Sequence, residues 1–450
     1  MEVQSSDQPL SSIIPNWVVV EQEICRKELA SFRNNDPTSA KACASNGELV
    51  PVSFTLCALP GASRLCVHCP EGRELSCFDT ILAAHGNAVL FRLEVDYKGL
   101  PPARYAVDYF IYWASTCGPR LSLLPRCYST EEEVEAAEVG SWRRNPRFAP
   151  APGRRGTGLL LVGDGGDFVV AELHVELARL EGDAVDAPLE AQLFRLRLDR
   201  EATAIDAGEW EIKHTRARGD KAKFRDLLCW WRADAVVPYG SYLCWVDYSR
   251  GVIFCDVNHD SPDLQYLALP VDHIPFGYPD PCRIGWPEAS RAVCITNSGT
   301  MKFINIARSD GMLSGKSKPG FDFKITIWTL MHRGYADMGW EKDVTIGASQ
   351  LWGMEGYSDQ LPRVAPQFPM VSMDDPNVIY FVLMEWHTLG AGAEAWVVAL
   401  DLDSSKVLWY KDIKATPSDE DAETAPYNIF YNLSFFPTEF SRHLRKTAPR

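Results

Sequence analysis

Apolar residues in this chain gather in runs of about four to eight, bounded by Gly, Pro, Asn, Asp and Ser, and the spacing of an amphipathic helix is scarce. The clearest example is residues 242–270, YLCWVDYSRGVIFCDVNHDSPDLQYLALP. Tyr242–Tyr248 is an aromatic and β-branched run that suits a pleated strand. Ser249-Arg250-Gly251 is a tight connection whose glycine can take positive φ. Val252–Val257 reads as the return strand and Leu264–Leu269 as a third, ending at Pro270. Together they predict an antiparallel meander.

Similar groups recur. One comprises Gly158–Val162, Phe168–Leu177, Gln192–Leu198 and Trp210–His214. Another comprises Ala292–Thr296, Met301–Ile306, Phe323–Leu330 and Trp340–Ile346, and a third Val378–Trp386, Ala395–Leu402 and Val407–Ile413. These three close on a Trp followed by charged residues: EWEIKH (209–214), GWEKDV (339–344) and LWYKDI (408–413). Val50–Leu59, Arg64–Cys69, Val89–Tyr97, Asp108–Trp113 and Leu121–Pro125 supply strands for two further groups. Ser129–Ser141 and Asp226–Ala233 are the helix candidates, the first with Ser129 or Thr130 as cap to the acidic run Glu131–Glu133.

Repeated four-stranded units at this spacing predict an all-β fold, a β-propeller-like ring of about six to eight antiparallel blades. In such a ring both faces of each sheet are covered, which accounts for mixed apolar runs such as Leu243–Val246. A two-sheet sandwich would leave more regular alternation on its outer faces. The expected organisation is one domain over 1–450, with a helical and Pro/Gly-rich insert at 128–156 and an acidic loop at 415–426.

Composition narrows the classes. The chain has 450 residues, 46% of them hydrophobic, with 14 Trp and 20 Phe, enough for a large core and too much for a disordered chain. A formal net charge of -15 without a long basic run opposes nucleic-acid binding. No apolar run is long enough for a membrane helix, and the first residues lack the basic start and apolar core of a secretory leader. The 13 scattered cysteines then read as reduced core thiols of a cytoplasmic or nuclear protein.

Candidate chemistry is sparse. Cys66-Val67-His68-Cys69, with Cys57, Cys77 and His85 nearby, is zinc-like, but no second pair of ligands follows and the first pair sits in an expected strand. Gly311–Ser317 resembles a phosphate loop one residue short, without the strand and helix that such a loop needs, and reads as a solvent loop. Gly163–Asp167 lacks the calcium-loop spacing and reads as a hairpin turn. Asp247 and Asp256 flank one hairpin and could form an acid/base pair. The simpler reading has Asp247 holding Arg250 or the turn's N–H groups. Glu385-Trp386-His387 could line a pocket. Trp230, Trp231, Trp245, Trp328, Trp340 and Trp352 read as packing between sheets in preference to a sugar-stacking platform. No catalytic, cofactor or metal residues are assigned.

WVDYSRGVIFCDV (245–257) with LQYLALP (264–270) resembles the signature of a plant family, domain of unknown function 1618, expanded in grasses. WWRADAVVPYG (230–240), RAVCITNSGTMKFINI (291–306), WTL (328–330) with WEKD (340–343), DDPNVIYFVL (374–383) and WVVALDLDSSKVL (396–408) add to it, as does PNWVVV (15–20). The resemblance is densest over 230–408. It implies no catalytic residues, and a more distant likeness to the propeller regions of plant F-box proteins, though no F-box pattern is visible. The expected role is a non-catalytic propeller that binds a protein partner, in plant stress, development or defence responses. The alternatives are a hydrolase with carboxylates such as Asp247, Asp256 or Glu385 in the central channel, and a propeller that binds a small ligand or sugar.

Overall fold

In the computed structural model the described residues are 14–32, 36–69, 74–76, 79–95, 106–125, 156–163, 167–176, 190–198, 209–217, 231–271, 285–315, 321–332, 338–384, 395–412 and 435–444. Among them the chain is nearly all strand, with one short α-helix at Ala348–Trp352. Ser129–Ser141, the insert at 128–155, the loop at 415–426, Trp230 and Glu385–His387 lie outside the described residues. The second helix candidate is corrected where it is described. Trp231–Ala233 is not helical, because it runs beside a hairpin: the Arg232 N–H donates to Asp247 and the Asp234 N–H to the Val246 carbonyl.

Strand β1 (Val18–Glu21) is the first described. Sheet I holds β2 (Cys25–Arg26), β3 (Ala40–Cys43), β4 (Leu49–Thr55) and β5 (Arg64–Val67). Sheet II holds β6 (Thr80–His85), β7 (Ala88–Val95), β8 (Ala106–Trp113) and β9 (Arg120–Leu123). Sheet III follows with β10 (Thr157–Val162), β11 (Asp167–Glu176), β12 (Glu190–Leu198) and β13 (Glu211–Ala217). Sheet IV is β14 (Ala235–Tyr239), β15 (Tyr242–Asp247), β16 (Gly251–Asp256) and β17 (Asp263–Ala268). Sheet V is β18 (Arg291–Ile295), β19 (Met301–Arg308), β20 (Phe323–His332) and β21 (Met338–Gly347). Sheet VI is β22 (Gln367–Val371), β23 (Val378–Met384), β24 (Ala395–Asp401) and β25 (Lys406–Asp412), and β26 (Phe435–Thr438) comes last.

Sheets II to VI are antiparallel meanders in chain order. Sheets III and IV are also joined at their outer strands, where β13 and β17 pair in parallel at Arg216↔Asp263 and Ala217↔Leu264. Sheet I is built differently. Its order is β2-β5-β4-β3, and β2 lies parallel to β5.

Period-two alternation sends successive side chains of one strand into two separate cores. On β11, Phe168 and Val170 pack toward sheet II, while Val169, Ala171 and Leu173 pack toward sheet IV. On β15, Leu243 and Trp245 meet sheet III, while Cys244 and Val246 meet sheet V. On β19, Met301 and Phe303 face sheet IV, and Ile304 and Ile306 face sheet VI. Another core joins sheets I and II through Phe54, Phe91 and Phe110. Each middle sheet is thus covered on both faces, as a ring of blades requires and a two-layer sandwich does not.

Tryptophans reinforce these interfaces. Trp210 Nε1 donates to the Pro125 carbonyl, Trp245 Nε1 to that of Gly156, and Trp340 Nε1 to that of Ala268. In each case a tryptophan of one sheet is tied to the backbone of the sheet before it.

The first and last described strands meet. β1 pairs antiparallel with β26, from Val18↔Thr438 to Glu21↔Phe435. Trp17 lies 6.0 Å, ring to ring, from Tyr380 of sheet VI, and Phe440 packs 4.6 Å from Phe54 of sheet I. A disulfide between Cys25 and Cys66 fixes β2 to β5 beside this junction. That corrects the reading of every cysteine as a reduced thiol: the parallel register sets Cys25 directly opposite Cys66. The fold is all-β and propeller-like: the described residues form six four-stranded sheets, of which III and IV are joined through β13 and β17, and a two-stranded sheet of β1 and β26.

Candidate functional site

The first strands of sheets II to VI and the β1–β26 pair all line one cavity of about 1230 Å³, contributing Ala83, Leu159, Val236, Val293, Met370 and Pro437 among others. Every sheet borders this space, as the axis of a propeller-like ring requires. Its size exceeds the roughly 300–1,000 Å³ of a small-molecule pocket.

The lining is cationic, although the chain is acidic. Among the described residues, Arg26, Lys27, Arg64, Arg291 and Arg442 face the cavity against Glu21, Glu288 and Glu439, an excess of two positive charges. Two of the three acids are ion-paired: Glu21 with Arg64 at 2.7 Å and Glu439 with Arg442 at 2.6 Å. Burial raises the Glu21 carboxyl above its ordinary value, opposed by Arg64. Burial also raises Glu439, against the pull of Arg442. Lys27 Nζ donates to Ser53 Oγ at 2.9 Å and sits 4.8 Å from the centre of the Phe32 ring. The buried Arg291 donates through Nε to Asn305 Oδ1 at 3.0 Å and through Nη1 to the Tyr248 carbonyl. Arg26 lies 3.7 Å from Glu28, which is outside the lining. His85 also borders the cavity; burial lowers its pKa to about 4, and its Nδ1 accepts the Leu161 N–H at 2.8 Å. It is a neutral structural acceptor.

The carboxylates singled out in the sequence do not converge. Asp247↔Gly251 and Tyr242↔Asp256 are opposite ends of one hairpin, five residue positions apart, or roughly 17 Å along a strand. Asp247 is buried and accepts from the Ser249 N–H (2.9 Å), Arg250 Nη1 (2.8 Å) and the Arg232 N–H (3.3 Å). It is the expected tie. Asp256 accepts the Asn258 N–H at 3.1 Å. Gly251 does not take positive φ: its Cβ position is filled by the Tyr266 ring and the Leu267 carbonyl.

The zinc-like cluster is also dispersed. Cys66 is spent in the disulfide, Cys69 is buried, and Cys77 lies outside the described residues. Among the described residues no group of His, Cys, Asp and Glu suits a metal ion. The phosphate-like loop is filled by Arg308, which pairs with Asp310 at 2.6 Å and donates to the Gly315 carbonyl at 2.7 Å. Gly163 takes positive φ beside the β10–β11 pairing Val162↔Asp167, as a hairpin turn requires. Trp245 is fully buried. Trp231, Trp328, Trp340 and Trp352 each pack against another aromatic ring. None of the described candidates forms an open stacking platform. Among the described residues no helix is long and apolar enough to cross a membrane.

The cationic lining was not visible in the sequence, because its members lie between positions 26 and 442 and share no motif. Trp286, 45% exposed and two residues from Glu288, was also missed.

No curated protein matches this chain. It is similar to the crystal structure of a protein of unknown function from Dyadobacter fermentans DSM 18053, at 10% identity and a TM-score of 0.30, covering 83% of this chain and 95% of that one. It is also similar to the WD40 domain of SCAP from fission yeast, at 10% identity and a TM-score of 0.27, covering 91% of this chain and 88% of that one. Residues 245–380, from the buried Trp245 of sheet IV to Tyr380 of sheet VI, match the family described as "Protein of unknown function (DUF1618)".

Proposed function

We propose that this chain is a non-catalytic protein-interaction module, a single propeller-like domain over 1–450 that holds a partner at the axis of its ring. The axial cavity carries this reading: every sheet contributes to it, and its volume suits a segment of another protein. The carboxylates that would support a hydrolase are structural at Asp247 and remote at Asp256. The resemblance to a grass-expanded family supports a plant protein with a role in stress, development or defence responses, and the scattered cysteines left unpaired support the cytoplasm or nucleus. In a reducing compartment Cys25 and Cys66 would stand as thiols. The test is quantitative cross-linking and affinity capture with the full chain in grass-cell extract, followed by titration of each captured protein in purified form. A saturable partner is expected. Capture of nothing that binds saturably when purified overturns the reading.

A further inference from the structure

We propose that Cys25 and Cys66 are a reversible dithiol–disulfide pair, open to dithiol reductants in the folded chain, whose state fixes or frees β2 in the wall of the axial cavity. This chemistry does not depend on the interaction reading above. The first ground is where the pair lies. On sheet I, Val52, Phe54, Leu65 and Val67 enter the core shared with sheet II, so Ser53, Thr55 and Cys66 occupy the opposite face. Cys25, Lys27, Thr55 and Cys66 all border the cavity. Cys66 is 6% exposed, whereas Cys25 is half-buried on an edge strand. A reductant therefore reaches one sulfur, that of Cys25, without unfolding the sheet.

The second ground is the shortness of β2. It pairs with β5 at two positions, Cys25↔Cys66 and Arg26↔Val67, and the Lys27 N–H then donates to the Val67 carbonyl. Residues 28–31 beyond it are exposed. β1, by contrast, pairs with β26 at four positions and is bonded to the Ser63 backbone. Cutting the covalent tie loosens β2 and the turn after it while β1 stays in place. The third ground is reversibility. The strand register holds the two Cα atoms 4.5 Å apart, so the sulfurs meet again whenever β2 pairs with β5. The exchange balances. A thiolate of the dithiol bonds to Cys25 Sγ, the bond between the cysteines breaks, and Cys66 leaves as a thiolate. Thr55 Oγ1 lies 3.7 Å from Cys66 Sγ, and the Lys27 ammonium donates to Ser53 Oγ, opposite Cys66; both favour that anion. The reductant's second thiol attacks its own bridging sulfur, frees Cys25 and departs as a cyclic disulfide. Two electrons and two protons pass to the pair, and an oxidised dithiol reverses the step.

The test treats the full chain with dithiothreitol, counts thiols by alkylation and mass spectrometry, and follows amide hydrogen exchange strand by strand. Cys25 and Cys66 should become alkylated while circular dichroism keeps its strand signal. Exchange over residues 25–31 should quicken about tenfold or more, and exchange over β7 and β19 should not change. Oxidised dithiothreitol should restore both the pair and the slow exchange. A Cys25→Ser, Cys66→Ser variant should exchange over 25–31 like the reduced wild type and ignore the reductant; if it does not fold, the wild-type measurements decide alone. Cys57→Ser, which removes another thiol of the cavity wall, should respond as the wild type does. Alkylation of the pair only in denaturant, collapse of the fold on reduction, unchanged exchange over 25–31, or reoxidation that joins Cys25 or Cys66 to a different cysteine would each overturn the proposal.

Discussion

Asp247→Ala tests whether the hairpin carboxylate is a structural tie. Asp247 is 1% exposed, and the Arg250 side chain that it pairs with is 13% exposed. Removing the carboxylate takes away the 2.8 Å ion pair and the acceptor for the Ser249 and Arg232 N–H groups. Deleting one partner of a buried pair costs about 3–5 kcal/mol, chiefly because the other charge stays behind. The lost N–H bonds fall within that figure. Asp256→Ala is the control: the residue is half-buried and accepts one N–H, from Asn258 at 3.1 Å, a loss of about 1 kcal/mol or less. Asp247→Asn should fall between, because a carbonyl oxygen can still accept an N–H but offers Arg250 no charge. Urea midpoints at neutral pH, with the slope compared across variants, rank the three. Two results would refute the reasoning: Asp247→Ala within about 0.5 kcal/mol of the wild type, or equal losses at Asp247 and Asp256.

Three further outcomes are expected. Burial, then the Glu288 and Asp247 carboxylates, hold Asp234 well above its ordinary value of 3.8, against the Tyr248 N–H and Arg232. A raised folded value means that its contribution is full below 3.8 and is lost as pH rises through the folded value. Asp234→Asn should therefore gain stability over the wild type as melts move from about pH 4 to about pH 8, and a difference that ignores pH would contradict this. Opening the Cys25–Cys66 disulfide, which spans 41 residues, should cost roughly 4 kcal/mol on the loop-entropy account. Reductant should lower the wild-type melting temperature and leave a Cys25→Ser, Cys66→Ser variant unmoved. Trp340→Phe keeps a ring against Phe303 but deletes the 3.1 Å bond to the Ala268 carbonyl. A loss of about 1 kcal/mol is expected, and no loss on denaturant titration would mean that the bond contributes nothing between sheets IV and V.

The sequence disclosed the middle of each sheet and concealed the inner edge of sheets IV and VI. All four strands of sheets III and V are visible as apolar runs, because their central strands are covered on both faces. The first strands of sheets IV and VI, AVVPY and QFPMV, were not read as strands, and neither was β26, FFPT. Each contains a proline: Pro238, Pro369 or Pro437. Proline argues against a central strand, but an inner strand is an edge, with one side of its backbone turned to the cavity and no ladder bond to lose there. All three prolines line the cavity. A short proline-bearing run just before a strong meander was the available signal. Sheet I was harder to read for a different reason. Its spatial order departs from chain order, and its closure depends on a strand pair whose members are more than 400 positions apart.

The same geometry explains why the site resisted reading. Nearness in sequence drew Asp247 and Asp256 together, and a rigid hairpin holds them at opposite ends. Arg26, Lys27, Arg64, Arg291 and Arg442 come from four separate stretches of chain, and they border one space because the sheets are arranged around it. No local spacing rule can register such a set: Arg26 and Arg291 sit on edge strands, Lys27 just past β2, Arg64 on the interior strand β5 and Arg442 beyond β26. A periodic pattern therefore discloses where a ring's sheets pack, while the character of its axis follows from the residues that interrupt that pattern: the prolines that mark inner edges, and the cations beside them in a chain otherwise rich in acids.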